Sequence, residues 1–348
     1  MKFIFVVQGE GRGHATQAIA LQERLQDSGH EVVKVYYGTS PHRPIADFVK
    51  EKFEGKLAYY DSPNFLPSKK KTNILKSFFY NLLLSRHFYQ SADRLAADIA
   101  GIQADRVVNF YEPLLGVAYS RNKILQPMIC IAHQYTFLHH DYSFPKGFFL
   151  RKRMLQYLTN KTRQQAMFSI ALSLVPMSDL EEKHIYVAPP LIRKQVLQAT
   201  SRQGDYIHGY LLNEGYLQEI DNPSLNIDVN LFVGEACTSK NPHVKTFLLN
   251  DSQYLSSMAG AKAVICTAGF ETVAEAMYLG KPVWVVPVNF EQQCNANEMQ
   301  RSGAGVADKH FDIARLNHFV SHYINNNVNF PTWEREHRHK IVDLLTAE

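Results

Sequence analysis

The sequence predicts an α/β protein built from two Rossmann-like parallel-sheet domains. Short apolar runs alternate with longer helical stretches along both halves, joined by brief polar loops, and that alternation produces parallel sheets covered on both faces. With 348 residues, 45% of them apolar, the chain can bury two ordinary cores more readily than one oversized one. Val187-Ala188-Pro189-Pro190 stands between the halves, where two prolines break any helix and make a hinge. The expected division is 1–187 and 188–328, with 329–348 forming a C-terminal helix that packs back toward the first domain.

The elements follow in order. Strands are expected at Lys2 to Val7, Glu31 to Tyr37, Leu57 to Tyr60, Arg106 to Asn109, Met128 to Ala132 and Ser169 to Val175, each an apolar run too short for a helix. Between them, helices are expected from about His14 to Ser28, Pro113 to Asn122 and Phe148 to Met167. The second half repeats the plan with strands near Tyr206 to Leu211, Asn226 to Phe232, Lys245 to Phe247, Ala263 to Cys266 and Val283 to Val286.

Composition narrows the function classes. Cys130, Cys237, Cys266 and Cys294 are scattered and form no CxxC pair, so neither a disulfide framework nor a zinc site is expected. No apolar run reaches the length of a membrane span, and Met1-Lys2 precedes only five apolar residues, short of a signal core; a soluble protein in a reducing cytoplasm is expected. Residues 1–190 hold 24 Lys and Arg against 16 Asp and Glu, while the remainder holds 13 against 17. The first half shows no helix-turn-helix, zinc or RNP pattern, so nucleic acid is not an expected partner. Its basic residues are interleaved with bulky apolar ones at Lys69-Lys70-Lys71 with Ile74 to Leu84, and at Phe148 to Arg153. Each cluster reads either as a helix with one core face or as a patch facing an anionic membrane.

The densest chemistry lies between Val264 and Ala296, VICTAGFETVAEAMYLGKPVWVVPVNFEQQCNA. A buried strand turns through Thr267-Ala268-Gly269 into a helix beginning near Gly269, whose free N–H groups can hold a phosphate. Glu275 falls two turns along, where a carboxylate can accept both hydroxyls of a ribose; Gly280-Lys281-Pro282 ends the helix. After the next strand a polar loop is expected to present Glu291 and Gln292, with Asn295 three residues on. That is the anatomy of a nucleotide-diphosphate pocket, against the plainer reading of a well-packed βαβ unit.

In the first half, Gly9-Glu10-Gly11-Arg12-Gly13-His14 follows the first strand and opens the first helix. Its GxGxG spacing lacks the dinucleotide fingerprint, and the second strand ends in Tyr36-Tyr37-Gly38 with no acid for a ribose, which disfavours a nicotinamide dehydrogenase. Gly11 and Gly13 let the backbone approach a ligand beside Arg12, and His14 is a candidate general base or else a helix-start packing residue. His133 and Gln134, after a later strand, read equally as acceptor-binding or as satisfied loop residues, and Glu112 as a helix N-terminal acid in preference to a cleft residue.

These residues resemble glycosyltransferases of the GT-B fold, and within it those similar to the N-acetylglucosaminyltransferase that makes lipid II, along with related bacterial and archaeal glycosyltransferase-like proteins. The resemblance is specific at Gly11-Arg12-Gly13-His14 and over Thr267 to Ala296. It implies two Rossmann-like domains facing each other across a cleft. It further implies that Thr267, Ala268, Gly269 and Phe270 approach the donor diphosphate, Glu275 the ribose, and Glu291 and Gln292 with Asn295 the donor sugar. Some members carry Arg, Ser or His where this chain has Thr267-Ala268, so more falls to the helix N-terminus.

The implied activity moves a hexose-type sugar from a nucleotide-diphosphate donor, UDP favoured, to a hydroxyl acceptor. The acceptor's identity is left open, with a lipid-linked or cell-envelope molecule at the inner face of the membrane as the expectation. His14 is the expected base. No cofactor is expected, and with no Asp-x-Asp in the sequence no metal either; direct attack assisted by one base implies inversion. Two rivals stay open. A nucleotide-sugar 2-epimerase of the same fold would release altered sugar without any acceptor, and a non-catalytic nucleotide-sugar-binding protein would tolerate loss of His14.

Overall fold

The computed structural model describes all residues except 41–44, 64–79, 212–215, 328 and 348. The basic run at Lys69 to Lys71 and most of the adjoining apolar run therefore lie outside the described residues. The chain divides into two compact units, one holding the first 193 residues in the main together with the residues from Glu336 onward, the other spanning Lys194–Arg335.

In the first unit β1 (Lys2–Val7), β2 (Glu31–Thr39), β3 (Leu57–Asp61), β4 (Arg106–Phe110), β5 (Met128–Ala132), β6 (Phe168–Leu172) and β7 (Ile185–Ala188) form one sheet. Every pairing is parallel and the order is β3-β2-β1-β4-β5-β6-β7. β4, β5 and β6 are buried at every position, which is why they read as unbroken apolar runs. The edge strand β3 keeps half-exposed positions. The crossovers include α1 (Gly13–Asp27), α2 (Asp47–Lys52), α3 (Ser85–Ala100), α4 (Pro113–Arg121) and α5 (Phe149–Thr162).

The second unit repeats the design. After α6 (Lys194–Gln198), β8 (Ile207–Leu211), β9 (Val229–Val233), β10 (Val244–Leu248), β11 (Ala263–Cys266), β12 (Val283–Val285) and β13 (Gly305–Ala307) form a parallel sheet in the order β10-β9-β8-β11-β12-β13. Its helices are α7 (Leu217–Ile220), α8 (Asp251–Gly260), α9 (Phe270–Tyr278), α10 (Phe290–Arg301), α11 (Ile313–His322) and α12 (Phe330–His337). Trp284 anchors this core edge-on to Phe319, ring centroids 5.3 Å apart. Each sheet reverses direction once, between β1 and β4 and between β8 and β11, and open α/β sheets bind ligands beyond the strand ends at such points.

The sequence reading needs correction at the boundary between the halves. Val187 and Ala188 are not a hinge but the end of β7, paired with Ala171 and Leu172 of β6. The proline pair follows the strand, and the first unit continues to Arg193. α5 also stops short of Met167, because Gln165 adopts a left-handed φ of 65° and Arg163 turns its guanidinium to the Ser169 hydroxyl. The last helix, α13 (Lys340–Thr346), belongs to the first unit, where Lys340 Nζ bonds both Asp179 carboxylate oxygens at 2.7 and 2.8 Å and the Val187 carbonyl at 2.9 Å. No described helix is long and apolar enough to cross a membrane.

Candidate active site

The switch point of the second sheet is built around the end of β11. Cys266 is buried, and the amides of Ala268 and Gly269 point at its sulfur; burial nevertheless dominates and pushes the thiol up to about 12. Ala268, not Gly269, takes the left-handed conformation, with φ 62°, a backbone strain of ~1–2 kcal/mol for a residue with a Cβ. Strain of this kind persists only where the surroundings over-determine it. Here Asn295 of α10 supplies the brace, its side-chain N–H donating to the Ala268 carbonyl at 3.0 Å. Asn295→Ala is expected to lower stability by about 1–2 kcal/mol, read as a drop in urea midpoint; an unchanged midpoint would mean that the turn holds itself.

Gly269 has φ −62°, and a Cβ there would meet nothing within 4 Å. Neither backbone conformation nor protein packing requires glycine, so what its missing side chain provides is open approach to the start of α9. Gly269 gives that start no side-chain cap, and a helix N-terminus is where the backbone dipole favours an anion. Thr267 is buried beneath the turn. Phe270 is the first residue of α9 and is buried. Glu275 lies on α9 as expected and is only 3% exposed; burial, and after it the Glu275 charge, raises the pKa of Tyr254, whose hydroxyl bonds Thr272 Oγ1 at 3.1 Å. α9 ends in a Schellman motif closed by Gly280 at φ 70°, with Lys281 N–H donating to the Ala276 carbonyl.

Glu291, Gln292 and Asn295 are not on a loop. Asn289 caps α10 by accepting from Gln292 N–H at 2.8 Å, and Gln292 Oε1 reaches back to accept from Val288 N–H at 2.9 Å. This resembles a capping box in which the Gln292 side chain reaches one residue past the cap, and the Asn289-Phe290-Glu291-Gln292 run carries the spacing. Glu291 sits in the first helical turn, half-buried, while Asn295 is buried against the Thr267-Ala268-Gly269 turn.

In the first sheet the corresponding point is the loop after β1. Gly9 is required by close approach, since a Cβ there would fall 1.8 Å from the Gly38 carbonyl oxygen. Gly11 turns the chain at φ 78°. Arg12 ends the loop with its guanidinium 4.1 Å above the Phe48 ring, and Gly13 opens α1. His14 follows on the first turn, 8% exposed and stacked on Tyr111 with ring centroids 5.6 Å apart. Burial lowers its pKa from 6.5 to about 4, opposed by a hydrogen bond with Gln17 and assisted by His133, so the imidazole is unprotonated at neutral pH and free to accept a proton.

Tyr111, which the sequence did not single out, holds its place through a left-handed φ of 61° and a hydroxyl contact of 2.8 Å to Thr159. Asn109 brackets that turn, accepting from Glu112 N–H at 2.7 Å and donating to the Glu112 carbonyl at 3.1 Å. Glu112 caps α4 by accepting from Leu114 N–H, with Pro113 at the first helical position, the signature visible in Glu112-Pro113. It is also fully buried and accepts from Ser62 Oγ at 2.9 and 3.0 Å; burial lifts its pKa from 4.5 to about 7 against the hydrogen bonds from Leu114, Ser62 and Tyr60.

His133 and Gln134 were read as either acceptor-binding or satisfied loop residues. Both lie in a buried 3₁₀ turn, His133–Leu138. His133 Nδ1 is 2.9 Å from the Leu172 carbonyl and its ring packs edge-on against Phe137, an interior arrangement that supports the loop end of β5.

Two parallel sheets of this order, each gathering its distinctive backbone at its switch point, make up the GT-B glycosyltransferase fold. The chain belongs to glycosyl transferase family 1, whose model matches residues 1–323. In fold it is similar to the glycotransferase of kitacinnamycin, at a TM-score of 0.66 and 15% identity over 99% of this chain and 98% of that one. It is likewise similar to UGT89C1 of Arabidopsis thaliana complexed with UDP-L-rhamnose, at a TM-score of 0.62 and 12% identity over 98% and 94%. A PGL/p-HBAD biosynthesis glycosyltransferase of Mycobacterium tuberculosis (strain ATCC 25177 / H37Ra) is 30% identical over 146 residues, which span 38% of this chain and 33% of that protein. The match thus covers about a third of that relative's length.

Proposed function

We propose that the chain transfers a hexose-type sugar from a nucleotide-diphosphate donor, a UDP-sugar by preference, to a hydroxyl acceptor presented at the inner face of a cell membrane. The observation that carries the donor reading is the start of α9 at Gly269, where a glycine N-cap fronts open space at the positive end of the helix dipole. In this reading Thr267, Ala268, Gly269 and Phe270 border the diphosphate, Glu275 takes the ribose hydroxyls, and Glu291 with Gln292 is nearest the sugar. The bound UDP-sugar of the Arabidopsis neighbour supports the choice of nucleotide.

The step forms a bond between the acceptor oxygen and the anomeric carbon as the bond from that carbon to the diphosphate oxygen breaks. The electron pair leaves with the diphosphate, where the α9 amides stabilise it, and the acceptor proton passes to His14. Attack opposite the leaving group inverts the anomeric centre. No metal is required in this scheme; activity restored by Mn²⁺ after chelation would contradict it.

A thermal-shift screen against uridine, guanosine, thymidine and cytidine diphosphate sugars tests the donor reading. A ligand held at 100 times its Kd adds about 2.7 kcal/mol to native stability, so one nucleotide class is expected to raise Tm clearly. No shift with any of them would sink the proposal.

A further inference from the structure

α5 turns its apolar stripe outward. Leu150, Met154, Tyr157 and Leu158 stand at i, i+4, i+7 and i+8, the spacing that ordinarily buries one face of a helix. Here they are 80%, 46%, 61% and 43% exposed, with Phe149 beside them at 66%. The inward side is made instead by Thr159 and Thr162, the buried residues of the helix, whose hydroxyls contact Tyr111 and Tyr135. The apolar residues of this segment, read from sequence as either a core face or a membrane patch, therefore do not serve the core.

Charge on the same segment is one-sided. The 37 residues 142–178 carry Lys146, Arg151, Lys152, Arg153, Lys161 and Arg163 and no Asp or Glu. Arg151, Lys152, Arg153 and Lys161 lie over the rings of Phe148, Phe144, Phe149 and Tyr157 at 5.2, 4.6, 5.3 and 5.4 Å. Among the described residues none of these four cations meets a carboxylate within salt-bridge distance. An acidic protein face would satisfy the cations but not a stripe of Leu, Met and Tyr. A bilayer of anionic lipid satisfies both, with acyl chains for the stripe and headgroup phosphates for the fringe of cations.

We propose that α5 docks the protein onto anionic bilayers, lying in the interface plane with Leu150, Met154, Tyr157 and Leu158 toward the acyl boundary. The surface rests on its own geometry; only its use in presenting a membrane-bound acceptor rests on the transfer reading above.

Co-sedimentation of the full chain tests this with vesicles of phosphatidylcholine alone and of phosphatidylcholine containing about a third phosphatidylglycerol. Binding to the anionic vesicles is expected at low salt, with weakening as salt rises and little retention on the neutral ones. R151Q/R153Q is expected to lower the partition coefficient about thirtyfold, since each basic residue near an anionic surface contributes roughly fivefold. L150S/M154S/L158S is expected to lower it at least tenfold, and circular dichroism and Tm of both variants to stay near wild type because the replaced side chains are exposed. No binding to anionic vesicles, equal binding to neutral ones, or undiminished binding by both variants overturns the proposal. Vesicle binding by a protein that no nucleotide sugar stabilises would keep this surface and sink the donor reading; the converse would do the reverse.

Discussion

Replacing His14 with alanine is expected to lower kcat about 10²–10⁴-fold while leaving the Kd for the donor unchanged. The expectation follows from where the groups lie. The donor's proposed contacts come from α9 and α10, whereas His14 lies on α1 in the other unit, so losing the imidazole removes the proposed proton acceptor and leaves the proposed donor contacts in place. A base shows itself in its pH dependence as well. With a pKa near 4, His14 is unprotonated throughout the neutral range and loses its basicity only as pH falls through about 4. kcat/KM, which reports the free enzyme, is therefore expected to be flat between about pH 5 and 8, where an ordinary histidine would bend it near 6.5. A limb near 6.5 would show that His14 is not buried as the base in the free enzyme; a limb near 7 removed by E112Q would belong to Glu112 instead. Full activity in H14A would leave a binding protein without catalysis.

Why the fold was legible and part of the site was not has a physical answer. Strands buried on both faces must be nearly all apolar, so VVNF, MICIA and AVIC announce themselves as strands without any partner being known. β7 escaped because its last residues run straight into two prolines, and a four-residue strand that ends at a proline looks like the loop that follows it. The turn at Thr267-Ala268-Gly269 is legible in the sequence, but which of its residues carries the strain is not. Propensity favours glycine for a left-handed φ, yet Ala268 takes it while Gly269 stays extended. That exchange depends on the brace from Asn295, 27 residues away, which local sequence does not display.

The same limit applies to Glu291 and Gln292. They were assigned to a loop because a polar run after a strand resembles one, although Asn289 three residues before Gln292 carried a capping signal that places both in a helix. Burial is harder still to foresee. His14, Glu112 and Glu275 look alike in sequence as polar residues near helix starts or along a helix, and all three proved to be enclosed. Their chemistry depends on residues distant in the chain: Tyr111 against His14, Ser62 and Tyr60 around Glu112, Tyr254 beside Glu275.

Acid is expected to destabilise the second unit steeply, with His208 as the main cause. His208 lies fully buried in β8 with Nδ1 on the Ser257 hydroxyl at 3.1 Å, Nε2 without a partner among the described residues, and its ring between Phe232 and Tyr254. Burial lowers its pKa from 6.5 to about 3. As pH falls below 6.5 the unfolded chain takes up the proton first, so stability is lost progressively down to about pH 3, ~5 kcal/mol in all. His14 acts in the same direction in the first unit, between 6.5 and about 4, for ~3 kcal/mol. Glu112 opposes it there. Its pKa rises from 4.5 to about 7 on folding, so the native state takes the proton first, and a gain of ~3 kcal/mol present below 4.5 is lost as pH rises through 7. The first unit thus carries a carboxyl that offsets its buried histidine, and among the titratable groups with a resolved shift the second carries none that offsets His208. Urea unfolding near pH 7 and pH 4.5 reads the consequence. H208F, which keeps an aromatic ring beside Phe232 and Tyr254, is expected to lose ~3 kcal/mol less than wild type over that interval. E112Q is expected to lose ~3 kcal/mol more, because the carboxyl that would have taken up a proton is gone. Equal acid sensitivity in wild type and H208F would mean that the β8 histidine finds water or a partner in solution and does not sit as a buried neutral ring.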